Sequence, residues 1–323
     1  MRIFVAGATG ALGRRLVPLL VGDGNQVTAM TRSPGKAAGL RAAGAEPVVA
    51  DALDRDAVLL AVAAARPEVV VHQLTDLATT TNLRRFDAGF AATNRLRTEG
   101  TDHLLAAARA AGTRRFVAQS FAGWPFARLG GPVKTEDDPL DPDPPAELRR
   151  TLDAIRQLEA AVLGAEGIEG VVLRYGGFYG PGTSAGAGGY MLDDLRRRRF
   201  PIVGAGTGVW SFIHIDDAAA ATAAAVERGA PGIYQIVDDD PAPVSDWLPA
   251  LAAAAGAKPP RRVPVWLARL LGGEHAVVLM TEVRGASNAT ARRELGWTPA
   301  YRSWRQGFRT GLGLPSQDRA LAP

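Results

Sequence analysis

The chain has 323 residues, 47% of them hydrophobic, and no cysteine; it can bury a large core, while disulfides, thiolate catalysis and cysteine-based metal sites are excluded. Its formal net charge of +4 comes from scattered arginines, and the one basic run, Arg196 to Arg199, lacks the aromatic interleaving of a nucleic-acid surface and reads as a solvated helix end. No apolar stretch nears the roughly 20 residues of a membrane span, and a strand gives way to a glycine turn too early for a secretory leader, so a cytoplasmic location is expected.

In chain order, strands are predicted at Ile3–Ala6, Val27–Met30, Pro47–Ala50, Val69–His72, Phe116–Ala118 and Val171–Leu173. Helices are predicted between them at Ala11–Val21, Lys36–Ala43, Ala57–Ala65, Thr98–Ala111 and Ala146–Leu163. Each strand is a continuous apolar run, as required when helices cover both faces, and the alternation predicts an α/β fold with a doubly wound parallel sheet. Residues Trp124 to Pro145, rich in Pro, Gly and Asp, read as a long loop, either a lid or a surface excursion. Beyond Leu173 the rhythm weakens. Helices around Ala218–Val226, Trp247–Ala255, Val265–Leu271 and Trp304–Leu312 suggest a smaller C-terminal lobe, and the tail from Pro315 is expected to fray.

The run Gly7-Ala-Thr9-Gly10-Ala11-Leu12-Gly13 lies between the first strand and the first helix, where backbone N–H groups and a helix N-terminus can cradle a dinucleotide pyrophosphate. The second strand ends in Thr31-Arg32-Ser33, with Lys36 a turn later. An NAD-selective site places a carboxylate there, whereas Arg offers a fork of donors to a 2′-phosphate, so NADP(H) is favoured over NAD(H). Asp51, followed by Ala52, is placed to accept from an adenine amino group; alternatively it caps the helix that begins near Asp54.

These residues, in this order, resemble the extended or atypical short-chain dehydrogenase/reductases, the NAD(P)-dependent epimerase/dehydratase group. The resemblance continues through Val71-His72-Gln73-Leu74-Thr75, Asn94 with Gly100-Thr-Asp-His-Leu-Leu105, and Arg115-Phe-Val-Ala-Gln-Ser120. Leu173-Arg-Tyr175-Gly176-Gly177-Phe178-Tyr179-Gly-Pro-Gly182, Phe212-Ile-His-Ile-Asp216-Asp217 and Glu294-Leu-Gly-Trp-Thr-Pro299 complete it. It implies a Rossmann domain over residues 1–173, rejoined by 212–237, and a substrate lobe from 174–211 and 238–314. It also implies that Gln73, Leu74, Thr75, Asn94 and Tyr175 to Phe178 line the cofactor. Ser120 and Phe121 would meet the substrate, and a homodimer would form through the helices near Thr98–Ala111 and Ala146–Leu163.

Two departures stand out. Family members pair the Ser with a Tyr-x-x-x-Lys on the next helix, where Tyr acts as acid and Lys lowers its pKa and binds ribose. Here, with Glu159 as anchor, those positions are Thr151 and Ile155, and no Tyr or Lys occurs from Thr135 to Gly170. Sugar-nucleotide members also place an Arg where this chain has Trp210, which cannot neutralise a diphosphate but can stack on a ring. Tyr179 or Tyr175, Lys134 from the long loop, or an ordered water would then supply the proton chemistry, with His72 and His214 structural. No metal-ligand spacing is present. The reading is an NADP(H)-dependent oxidoreductase of a small non-nucleotide carbonyl or hydroxyl compound, with Ser120 orienting the substrate oxygen. Alternatives are an NADP(H)-binding sensor without turnover, or a non-redox isomerase or cyclase; a small molecule is the expected partner, with neither nucleic acid nor membrane.

Overall fold

The computed structural model describes residues 1–77 and 86–315. Seven parallel strands form the central sheet: β1 (Arg2–Ala6), β2 (Gln26–Thr31), β3 (Glu46–Val49), β4 (Val69–His72), β5 (Arg115–Phe121), β6 (Glu169–Tyr175) and β7 (Gly232–Ile236). Their order is β7-β6-β5-β4-β1-β2-β3, so the sheet is wound outward in both directions from the β1–β4 pair. Val5 lies opposite Ala29 on one side and Val71 on the other. All six strands predicted from apolar runs are present; β7 lies within residues 212–237, the stretch that was expected to rejoin the first domain.

Helices cover both faces, which explains why the strands are apolar throughout. α1 (Gly13–Gly22) packs one face; α2 (Arg55–Ala65), α3 (Ala91–Arg97), α4 (Glu99–Ala110) and α5 (Arg149–Leu163) lie on the other; and α6 (Ile215–Glu227) joins α1. The face under α1 and α6 buries Val5, Leu16, Ala29, Val117 and Ile236. The opposite face buries Phe4, Val58, Leu104, Phe116 and Leu158. Asp54 starts α2 by accepting from the Ala57 N–H at 3.0 Å, and α2 ends on Arg66 in the left-handed region at φ 45°.

A third core, around Tyr179, Leu192, Phe212, Trp247, Val277, Trp304 and Phe308, belongs to the C-terminal segments. Helices Tyr190–Arg196 and Glu274–Thr281 there, and Ala289–Glu294, which packs through Ala291 into the core of the sheet, have no counterpart in the predicted elements. The loop Trp124 to Pro145 is an ordered strap: Val133–Lys134 pair with Gly285–Ala286, and Arg128 bonds both Asp141 and Glu282 at 2.9 and 2.8 Å. It ties the sheet's carboxyl edge to the smaller lobe. Arg196 closes its helix as the basic run suggested, bonding Asp193 and the Ala255 carbonyl. The end of the tail beyond Pro315 lies outside the described residues. Among the described residues no helix is long and apolar enough to cross a membrane.

Candidate active site

The chain leaves β1 at Gly7, and both its φ of 93° and its surroundings demand glycine: a Cβ would stand 2.6 Å from the Gln73 carbonyl oxygen at the end of β4. Gly13 meets the same constraint from the other side, since a Cβ there would collide with the Gly7 oxygen. The Gly10 N–H donates to that oxygen at 3.0 Å and Gly10 itself is exposed, Thr9 and Ala11 partly so, with Leu12 buried beneath. The first turn of α1 is thus open at the carboxyl end of the sheet, a cradle that fits a pyrophosphate.

At the end of β2, the buried Thr31 hydroxyl accepts from the Ser33 N–H at 3.2 Å and turns the chain so that Arg32 and Lys36 are exposed. Arg32 meets Asp76 at 3.4 Å, a long pair in which the arginine side chain is 65% exposed; such a pair contributes little and can be exchanged for a ligand anion. Asp51 closes a local turn by accepting from the Leu53 N–H at 3.0 Å, and its alternative reading as the cap of α2 is corrected, because Asp54 holds that place. Ala52 is buried behind it.

The absent acid and lysine have structural replacements. Asp87 caps α5, accepting from the Arg150 and Thr151 N–H groups at 3.0 and 2.9 Å and from the Thr151 hydroxyl at 2.6 Å. Asn94 donates to the same hydroxyl at 3.1 Å, so its side chain faces the seam between α3 and α5, not the glycine turn. Ile155 is core, 1% exposed. Ser120 points into the same layer: its hydroxyl donates to Glu159 at 2.7 Å, and Glu159 is clasped by Arg174 through two bonds of 2.8 and 2.6 Å, all three side chains buried. The expected role of Ser120 in donating to a substrate oxygen is therefore corrected, because its proton is committed to a carboxylate. Arg97, which sequence reasoning passed over, is buried beside this group. The available signal was a charge on the otherwise small and apolar face Thr93-Leu96-Arg97-Gly100-Thr101-Leu104, all of it buried.

Phe121, the next residue on β5, faces the opposite way and lines a small cavity with Trp124, Gly177, Val209, Trp210, Leu279 and Val283. The Trp210 indole N–H is bound to the Leu279 carbonyl at 2.8 Å and its ring packs on Trp247 at 5.0 Å, so it presents a fixed aromatic face. The predicted substrate residues Phe121 and Trp210 are brought together with predicted cofactor residue Gly177. Ser120 is not among them.

Residues 3–236 match the NAD dependent epimerase/dehydratase family. The chain belongs to that family. It is 48% identical over 311 residues to the 3-diazoavenalumate denitrifying reductase of a Streptomyces species, covering 95% of this chain and 99% of the relative. Among solved structures, the UDP-glucose 4-epimerase of Thermotoga maritima with UDP-glucose superposes with a TM-score of 0.75, covering 97% of each chain. The human epimerase family protein SDR39U1 with NADPH gives 0.72, covering 96% and 98%. Both are 21% identical, a likeness of fold. As a member of this family with a named reductase relative, the protein is an NAD(P)-dependent oxidoreductase.

Several residues expected at the site lie elsewhere. Tyr179, expected to give the proton, is fully buried among His214, Tyr301 and Phe308, and its hydroxyl has no hydrogen-bond partner. Burial, then the Asp238 carboxylate, pushes its pKa far up, so it is corrected to a core residue. Lys134 is held by the Leu129 carbonyl and Asp138 at 2.7 and 2.9 Å and does not reach in. Tyr175 turns its hydroxyl into the core, onto Thr222 and Gln73 at 2.7 and 3.3 Å, with Phe178 against its ring. Only the backbone of Gln73 therefore faces the turn. Gly176 packs on the Ser211 carbonyl, while Leu74 and Thr75 are half-buried past the end of β4.

The two histidines are structural as expected. His72 accepts from the Leu74 N–H and shares a hydrogen bond with Thr101, and burial pulls its pKa down to about 4. His214 caps α6, accepting from the Asp216 N–H, and bonds the Gly311 carbonyl. No cluster of three or more metal-binding side chains exists among the described residues.

Proposed function

We propose that the protein is an NADP(H)-dependent reductase whose hydride acceptor is the diazonium group of a small aromatic compound. The observation that carries this is the filling of both proton-chemistry positions by groups that cannot serve: Thr151 locked onto Asp87, and Ile155 in the core. A carbonyl needs a proton as well as a hydride, and the Ser120 hydroxyl directs its hydrogen bond to Glu159. When bound, NADPH would supply hydride; in reducing Ar–N2⁺ to Ar–H the pair of the broken C–N bond leaves with dinitrogen, and no proton is taken up. The named relative is a denitrifying reductase of a diazo compound, which supports this acceptor.

The chain's own residues supply binding and orientation. Arg32 and Lys36 favour the 2′-phosphate, and the Gly7–Gly13 turn takes the pyrophosphate. Phe121, Trp124 and Trp210 line a cavity of about 30 Å³ that a flat ring would have to widen, and their π-faces would also attract a cationic substituent. With no arginine at position 210, a sugar nucleotide is disfavoured.

The test mixes the protein and NADPH with an aryl diazonium salt of a phenolic acid, and separately with a panel of ketones, aldehydes and enones. Loss of reduced-nicotinamide absorbance, dinitrogen release and transfer of label from deuterated NADPH to the ring are expected with the diazonium alone. Consumption with a ketone and none with the diazonium would overturn the reading.

A further inference from the structure

The layer beneath the ends of β4 and β5 holds an unbalanced charge. Glu159 is one carboxylate; Arg174 clasps it with two hydrogen bonds, and Arg97 is a second guanidinium acting on it only through space. Arg97 is 6% exposed, and its Nη1 is fully buried without a hydrogen-bond partner. Among the described residues its side chain makes no hydrogen bond or ion pair. Burial draws its pKa down to about 10, which leaves it charged at neutral pH. His72, the other titratable group that faces it, has a pKa near 4 and is neutral there. A buried guanidinium without an acceptor is costly, and such a group calls for an explanation.

Its position supplies one. α3 and α5 run side by side in the same direction: Asn94 bonds Thr151, and Thr98 faces the same groove as Ala154 and Gln157. One helical turn beyond the Asn94–Thr151 bond, Arg97 therefore stands at the level of Ile155. With the pyrophosphate at the glycine turn, that turn and the aromatic cavity beside β5 would mark the two ends of the path taken by the cofactor's nicotinamide half over the sheet. Between them lie the ends of β4, at His72, and β5, at Ser120, and Arg97 is next to both through His72 and Glu159. A dinucleotide bound that way would carry its nicotinamide nucleoside across that point, and the ribose hydroxyls are acceptors as well as donors.

We propose that Arg97 supplies, from the neighbouring helix, the positive charge that Ile155 lacks, and that it binds the ribose of the nicotinamide half of the cofactor. Arg97 is then a cofactor-positioning residue that sets where the hydride-bearing ring rests, with no part in proton transfer. This rests on the reading that the protein binds a nicotinamide dinucleotide.

The experiment measures NADPH binding by fluorescence, without substrate, for the parent protein, Arg97→Met and Arg97→Gln, with 2′,5′-ADP as a probe of the adenosine half. Loss of one charge-assisted hydrogen-bond set is expected to weaken NADPH about tenfold or more, with 2′,5′-ADP unchanged and the melting temperature not lowered. Equal NADPH affinity in parent and variants would overturn the inference alone. So would equal weakening of both probes, which would mark general damage. Failure of the parent to bind NADPH would overturn the cofactor reading with it. Arg97→Gln, shorter but still polar, gives the same comparison if Arg97→Met folds poorly.

Discussion

Single residues decide which cofactor is held and which proton is free. Arg32 is exposed at the end of β2 and meets the half-buried Asp76 over a long 3.4 Å. Arg32→Ala is expected to weaken NADPH by about tenfold, the scale of one charge-assisted contact, while leaving NADH unchanged; competitive titration of the two nucleotides checks this. Glu159 carries more of the architecture, because it neutralises Arg174 and accepts from Ser120. Glu159→Gln leaves two buried guanidiniums without a carboxylate and is expected to cost about 3–5 kcal/mol of stability, read from denaturant midpoints. Ser120→Ala removes only the Ser120 hydroxyl and is expected to slow turnover far less than loss of a donor that touches substrate.

At the scale of elements, the junction of β1, β4 and α1 is the tightest part of the site. Gly7→Ala combines a strained φ with a Cβ set 2.6 Å from the Gln73 carbonyl, so it must part the ends of β1 and β4. Loss of NADPH binding and a fall in stability of about 1–3 kcal/mol are expected, measured by titration and thermal melting. This junction was legible in the sequence, since strand, glycine turn and helix follow one another with fixed spacing. So were the six long strands, whose runs such as Val69–His72 are apolar on both faces. The facing of side chains at strand ends was not legible. Adjacent residues on a strand point to opposite faces, and nothing in Gln-Ser-Phe tells which of Ser120 and Phe121 meets the cleft. Arg97 was hidden for a similar reason: its meaning depends on α3 lying parallel to α5, a tertiary fact.

For the whole molecule, the joint between sheet and smaller lobe sets the response to pH. Asp238, just past β7 and 1% exposed, has its carboxyl pKa pushed up to about 8 by burial, with Asp239 and Asp240 nearby adding to the rise. The unfolded chain loses this proton near 3.8 and the folded chain near 8, so the group's contribution to stability is full below the lower value and is lost as pH rises through the upper one. Asp238→Asn is therefore expected to stabilise increasingly from pH about 4 to about 8 and then level off; melting temperatures of parent and variant across that range test it. The lobe on the far side of this joint is assembled from pieces, its core drawing on Tyr179 to Phe212, Ala242 to Met280 and Trp304 to Leu312. That has a consequence for synthesis. When Ile236 has left the ribosome every strand of the nucleotide platform exists, yet the aromatic slot still lacks Leu279 and Val283. The sheet is thus complete in sequence before the lobe beside it, although its own core still takes Ala291, Leu295 and Trp297 from the last quarter of the polypeptide.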